Sequence, residues 1–180
     1  MGRIPRYTGV VAGVAAAEGV GIATGLRAGV RFPNDVYLVG RKLGGILVET
    51  ARVDESRFII PLIGIGINVN VPEFPPELRE RAISTLLASG REFPVGAVTG
   101  HILRRLGDLW DDLSDDAFAE ILLPRWQTLA DPENCRTFRV DGRDLYCRVV
   151  DVAGDGAVTL EDGNGERHRT HAAQVILGGD

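Results

Sequence analysis

Phe32-Pro33-Asn34-Asp35-Val36-Tyr37-Leu38-Val39-Gly40-Arg41-Lys42-Leu43-Gly44-Gly45-Ile46-Leu47-Val48-Glu49 is the stretch from which the fold can be read. Val36 to Val39 is an apolar run rich in strand-favouring side chains. Gly40-Arg41 supplies a tight turn, and Leu43 to Val53 returns as the partner strand. Asp54-Glu55-Ser56 turns the chain again, and Phe58 to Val71 reads as a long, mostly apolar strand suited to the middle of a sheet. Just upstream, Val30-Arg31-Phe32 is short and extended, and Pro33 restricts the residue before it to an extended backbone. The pattern predicts a meander of antiparallel strands.

On the N-terminal side, Thr8 is a candidate cap for a helix from Gly9 to Arg27. Its Ala and Gly residues predict close packing against the sheet. Arg3 and Arg6 before the apolar run Val10 to Ala17 resemble a secretory signal, but the run is Ala/Gly-rich and Glu18 follows at once, so a buried helix is the better reading. The run is also too short and interrupted to span a bilayer. On the C-terminal side, Pro72, Pro75 and Pro76 end the sheet region, and Val98, Ile102, Leu106, Leu109 and Leu113 mark an amphipathic helix. Asp111-Asp112 and Asp115-Asp116 flank the turn after it and read as a solvated helix end. A second helix carries Phe118, Ile121, Leu122 and Trp126, with a kink expected at Pro124. Beyond Asp131-Pro132 the texture changes to short strands between tight turns, from Thr137-Val140 to Gln174-Leu177, which suggests a small β-barrel. The domains are therefore drawn at residues 1–131 and 132–180, in an α+β chain whose mixed or antiparallel sheet packs with helices.

Composition narrows the function. The 180 residues are 44% hydrophobic and carry a formal net charge of -5, which argues against a nucleic-acid partner. Cys135 and Cys147 form no CxxC pair, so a reduced, cytoplasmic protein without disulfides is expected. His101, His168 and His171 lack zinc-ligand spacing, and no metal site is expected. There is no GxxxxGK[ST] loop. Gly64-Ile65-Gly66 starts like a dinucleotide fingerprint, but Val69 stands where the third glycine belongs and no helix follows. No Ser-His-Asp or Cys-His nucleophile set is evident.

Three segments remain. Asn34 and Asp35 set an amide beside a carboxylate at the mouth of a strand. Lys42 stands where the hairpin turn ends, and Gly44 and Gly45 after it bare the backbone to a flat ligand. Gly64-Ile65-Gly66-Ile67-Asn68 repeats bare backbone followed by an amide. Singly, each reads more simply as a turn, a solvated lysine or relief of crowding. On one sheet face they would supply a cation for phosphate, amides for a base edge, and bare strand for an apolar ligand.

Together, Phe32 to Asp35, Lys42 to Glu49 and Gly64 to Asn68 resemble the biotin protein ligases, whose catalytic domain carries these motifs in this order and spacing. The resemblance runs on through Ser84-Thr85-Leu86, the two helices and a terminal SH3-like barrel. It implies a class II synthetase-like biotin/lipoate ligase fold. It implies ATP and biotin as substrates, with Mg2+ accompanying ATP, and a biotin carboxyl-carrier protein as acceptor, with no membrane partner. It makes Lys42 the lysine that meets the biotin carboxylate and α-phosphate, and Asp35 the carboxylate that helps the acceptor lysine lose its proton. It places Asn34 and Asn68 near the adenylate and Gly45 and Leu47 along the biotin pocket, with Gly44 and Gly66 also among the substrate- or adenylate-binding residues. Phe32 stands where the family has tryptophan and keeps an aromatic platform. The family's Gly-Arg-Gly-Arg-x-Gly-Arg loop and ureido-binding residues lie upstream of the Ala-rich helix, where only Met1 to Tyr7 stand here. The domain is thus expected to be N-terminally truncated and, alone, to bind biotin weakly and make little or no biotinyl-adenylate. Two other readings are a lipoate or octanoate ligase, and a non-catalytic binding or dimerisation module. An exposed sheet edge would let two chains pair.

Overall fold

In the computed structural model, residues 8–52, 59–111, 118–130, 135–140, 142–153, 157–171 and 176–177 are described. The expected turn at Asp54-Glu55-Ser56, the acidic positions Asp112, Asp115 and Asp116, Leu113 and the boundary at Asp131-Pro132 lie outside them. The meander forms one antiparallel sheet: β1 (Gly29–Arg31), β2 (Asp35–Leu38), β3 (Arg41–Arg52) and β4 (Ile59–Ile67), paired in chain order. The Phe32-Pro33 bond is cis. The β2–β3 turn is Val39-Gly40 rather than Gly40-Arg41, with φ of 50° and 71°; a two-residue loop needs this left-handed pair to match strand twist. Val36 pairs with Gly44 and Tyr37 with Lys42, so Leu43 is the extra residue of a bulge, and its side chain is buried. The strand expected to reach Val71 stops at Ile67, because Asn68 and Asn70 turn out of the ladder. Asn70 exchanges hydrogen bonds with the Phe93 backbone at 2.8 and 3.0 Å. Among the described residues β4 lies at the sheet edge, not its middle.

Helix α1 (Thr8–Thr24) has no polar face to turn to water and is buried through most of its length. Thr8 is already helical, and the helix stops before Arg27 at Gly25, where φ is 75°. Its tightest approach is to a helix rather than to the sheet. A Cβ on Gly19 would stand 2.6 Å from the Ile102 Cα of α3 (Val95–Asp111). Gly19→Ala is therefore expected to force α1 and α3 apart and cost about 2 kcal/mol. Gly100→Ala, on the open face of α3, should stabilise by up to about 1 kcal/mol. Thermal melts of the two variants check this; equal behaviour would mean the helices are not in contact at Gly19.

The short helix α2 (Thr85–Ser89) was not legible as a helix. Ser84 caps it by accepting from the Leu87 N–H at 3.0 Å, and Gly90 ends it at φ 70°. Phe118–Leu122 forms a π-helical turn, and Pro124 then opens α4 (Leu123–Leu129). In a first turn its missing donor costs nothing, so it starts a segment rather than kinking one. Glu18 ties the helices together, accepting from Arg105 Nε at 2.9 Å and Arg125 at 3.2 Å.

Strands β5 (Cys135–Val140), β6 (Arg143–Val152), β7 (Ala157–Asp162), β8 (Arg167–His171) and β9 (Ile176–Leu177) make a second antiparallel sheet in the order β8-β7-β6-β5-β9. Phe138, Cys147, Val158 and Leu160 fill its inner face. The fold is α+β, with helices on one sheet and a small SH3-like sheet after it.

Three carboxyls of this second sheet sit below their usual range. Arg139 holds Asp144 down; Arg148, then Arg167, hold Glu161 down; the Glu166 and Asn164 N–H groups hold Asp162 down. A lowered folded pKa gives stability that is present above the unfolded value near 4 and lost as pH falls through the folded value. Amide-exchange protection of β6–β8 is therefore expected to hold down to about pH 5 and to fall below about pH 4. Protection that rises on acidification would contradict these pairings.

Candidate active site

The two sheets meet at a cavity of about 840 Å³. Its walls come from β1 to β4, the segment Phe74 to Ala82, and β5. Asp35 opens β2 and is 8% exposed. Its carboxylate is divided between two cations: Lys42 Nζ lies 2.6 Å from Oδ1, and Arg136 of β5 lies 3.3 Å from Oδ2. The same Arg136 nitrogen donates to the Tyr37 hydroxyl at 2.9 Å. Arg31 lies over the Tyr37 ring at 3.6 Å, a cation–π contact. The Lys42 backbone is clamped by the next segment: its N–H donates to Arg81 at 2.7 Å and its carbonyl accepts from Ile83 at 2.9 Å. Only the side chain is free to turn.

Lys42 is accordingly not alone. Arg31, Arg81 and Arg136 line the same cavity, against the carboxylates of Asp35 and Glu80. Four basic and two acidic residues among its lining give the cavity a net positive wall on a chain whose net charge is -5. Such a field favours a polyanion over a neutral ligand.

The two glycines after Lys42 differ. A Cβ on Gly44 would lie 2.1 Å from the Gly66 carbonyl oxygen, so its bareness serves strand packing. A Cβ on Gly45 would lie 3.6 Å from Asp35 Oδ1 and from Lys42 Cε, so its bareness opens the cavity floor. Gly45 pairs with Gly66 across the ladder, which doubles the bare patch. Asn68 lines the cavity, with its amide nitrogen 3.3 Å from the Ile83 carbonyl. Asn34 and Leu47 do not line it. Asn34 donates its amide to the Ile46 carbonyl at 2.8 Å and so pins the Pro-Asn-Asp turn to β3. Leu47 follows Gly45 on the same strand face but is 61% exposed. Phe32 is buried in the core and is no platform for a ligand.

The sequence missed Arg31, Tyr37, Arg81 and Arg136. Tyr37 was within reach, since it sits two residues from Asp35 on the same strand. Arg136 joins Asp35 across 101 residues and left no local signal. Elsewhere, Asp162, Glu166 and His168 gather their polar atoms within 4.8 Å on the β7–β8 turn. Asp162 Oδ1 already accepts from the Asn164 and Glu166 N–H groups at 2.8 and 2.9 Å, so the group reads as a turn cap.

Residues 2–68 match the model of the Biotin/lipoate A/B protein ligase family. The chain is 32% identical to the bifunctional ligase/repressor BirA of Bacillus spizizenii and 31% identical to that of Bacillus subtilis. Each match covers 98% of this chain and 54% of the relative, so the chain spans about half the length of these curated relatives. The biotin protein ligase of Aquifex aeolicus in complex with biotin and ATP shares the fold, with a TM-score of 0.77 at 20% identity over 99% of this chain and 73% of that one. Sequence match and the retained Pro-Asn-Asp, Lys-Leu-Gly-Gly and Gly-Ile-Gly-Ile-Asn segments agree that residues 2–68 belong to the Biotin/lipoate A/B protein ligase family, and the chain shares the fold of biotin protein ligase structures.

Proposed function

We propose that this chain carries biotin protein ligase chemistry: biotin and MgATP give biotinyl-5'-AMP and pyrophosphate, and a lysine of a biotin carboxyl-carrier protein then takes the biotinyl group. The observation that carries the proposal is the Asp35–Lys42 pair, 2.6 Å apart, at the mouth of a positive cavity with a bare Gly45–Gly66 floor. In the first step a biotin carboxylate oxygen attacks the α-phosphorus and pyrophosphate leaves. Negative charge grows on the α-phosphate oxygens, and a fixed cation beside them lowers the barrier. Lys42 is that cation, reached by turning its half-exposed side chain away from Asp35. In the second step the acceptor amine attacks the acyl carbon and AMP leaves. Asp35 Oδ1, freed when Lys42 turns, is placed to take the proton from that amine.

Gly44, Gly45, Gly66 and Asn68 form the floor and far wall for the adenylate, while Asn34 holds the Asp35 turn in place and Leu47 offers an apolar rim to the biotin chain. Arg31 and Arg81 meet the outer phosphates, with Mg2+ entering on the triphosphate. Residues 1–131 act as the catalytic unit and 132–180 as the SH3-like unit. Pairing of two chains along the β4 edge and action in the cytoplasm complete the reading; no described helix is long and apolar enough to cross a membrane.

The test is pyrophosphate release from MgATP by the purified chain, with biotin, lipoate or octanoate, followed by label transfer to a carrier domain. Release that depends on biotin is expected, at a low rate set by weak biotin binding to this chain alone. Release that depends only on lipoate or octanoate, or none with any acid, overturns the proposal.

A further inference from the structure

We infer that Arg136, delivered by the second sheet, is a positioning residue that keeps Asp35 compensated when Lys42 leaves it for an anionic ligand. This rests on the reading above, in which Lys42 turns to a phosphate or carboxylate. The Asp35 side chain is 9% exposed and has spent each oxygen on a different cation. The two cations are not equivalent. The Lys42 side chain is 48% exposed and ends in a single ammonium with no other anchor among the described hydrogen bonds. That of Arg136 is 15% exposed and is also held by the Tyr37 hydroxyl, whose ring is in turn covered by Arg31. Lys42 is the cation built to move and Arg136 the one built to stay.

The energetics make the second cation necessary. A carboxylate this buried, left with no partner, is strongly unfavourable. Were Lys42 its only counter-ion, every excursion of Lys42 to a ligand would strand Asp35, and the lysine would be locked in the pair. A guanidinium removes the lock. It stays protonated and goes on donating to Oδ2 when Lys42 leaves, so Asp35 remains compensated while Oδ1 is open. The sheet that carries Arg136 thereby sets how readily Lys42 reaches the cavity, through one side chain and across 101 residues of sequence.

A double-mutant cycle on the purified chain tests this, with inorganic pyrophosphate as probe and calorimetry as readout. The variants are Arg136→Gln, Asp35→Asn, the two combined, and Arg136→Lys, each with a thermal melt. If Arg136 acts through Asp35, Arg136→Gln weakens pyrophosphate binding about tenfold, but less than about threefold once Asp35 is Asn. Arg136→Lys, which keeps the charge, restores most of the affinity. Equal losses in both backgrounds would mean that Arg136 simply attracts the anion, and would overturn the inference. So would no loss in either, or no measurable pyrophosphate binding by the parent chain. If Arg136→Gln does not fold, Arg136→Lys with and without Asp35→Asn decides: a loss that persists unchanged in the Asn background is the overturning result. Failure of biotin-dependent pyrophosphate release would sink the proposed activity, while this cycle still reports on Arg136.

Discussion

Lys42→Ala is expected to slow biotinyl-adenylate formation by at least about a hundredfold, the usual loss when one preorganised donor to a developing charge is removed. The reason lies in what the cavity keeps. Arg31, Arg81 and Arg136 remain, so the triphosphate still finds a positive field. Ground-state binding of MgATP should therefore weaken by no more than about tenfold, while kcat falls by at least about a hundredfold; a residue that acts mainly in the transition state shows this split. Lys42 is singled out because its backbone is clamped on both sides by the segment Arg81 to Ile83 while its side chain leans into the cavity beside the bare Gly45 floor. The fold should survive, since the side chain is about half exposed. Loss of the Lys42 charge does leave Asp35 to Arg136 alone, so a small drop in melting temperature is expected. Single-turnover pyrophosphate release at saturating MgATP measures the effect. Release within about threefold of the parent chain would take Lys42 out of the mechanism.

The residues of the cavity's floor and of its central ion pair were legible in the sequence, and little of its walls was. Asp35, Lys42, Gly45 and Asn68 lie on strands and turns whose order follows from alternation and turn residues, so their convergence on one cavity was legible. The β4 edge position was not, because a two-faced apolar strand looks the same in the middle of a sheet and at an edge awaiting cover. Arg31, Arg81 and Arg136 were invisible for a different reason. Arg31 arrives through its pairing with Asp35 and Arg81 through the Lys42–Ala82 bridge, neither marked by a motif, and only the close approach of the two sheets brings in Arg136. Asn34 shows a structural role that its neighbourhood did not announce. Its neighbourhood marks it as a ligand contact, and its amide also donates to the Ile46 carbonyl at 2.8 Å, fixing the turn that presents Asp35. Leu47 is similar: correctly placed on the floor's face, it lies beyond the cavity and in solvent.

Adjacent glycines should fail in opposite ways. Gly44→Ala is expected to destabilise the chain by about 3 kcal/mol, at the upper end for overpacking. The added methyl carbon would sit 2.1 Å from the Gly66 carbonyl oxygen, 2.8 Å from the Ile67 Cδ1 and 3.1 Å from the Gly66 carbonyl carbon. A flexible side chain can swing away, but this oxygen belongs to the ladder in which Gly44 faces Ile67 and Gly45 faces Gly66. To admit the methyl, β3 and β4 must part where both lead into the cavity. For a chain of this size the melting temperature should fall by roughly 6–12 °C. Gly45→Ala has a different neighbourhood. Its nearest atoms, Asp35 Oδ1, Lys42 Cε and the Asn34 carbonyl oxygen, stand at 3.6 to 3.7 Å, which is ordinary contact. Its melting temperature should change by no more than about 2 °C, as for a substitution that neither opens nor overfills a core. The methyl would instead occupy the floor beside the Asp35–Lys42 pair and lower affinity for the adenylate. Thermal melts and adenylate binding on both variants separate the two roles. Equal losses of stability would mean that the Gly45 side of β3 is packed rather than open, and the cavity floor assigned to it would have to move.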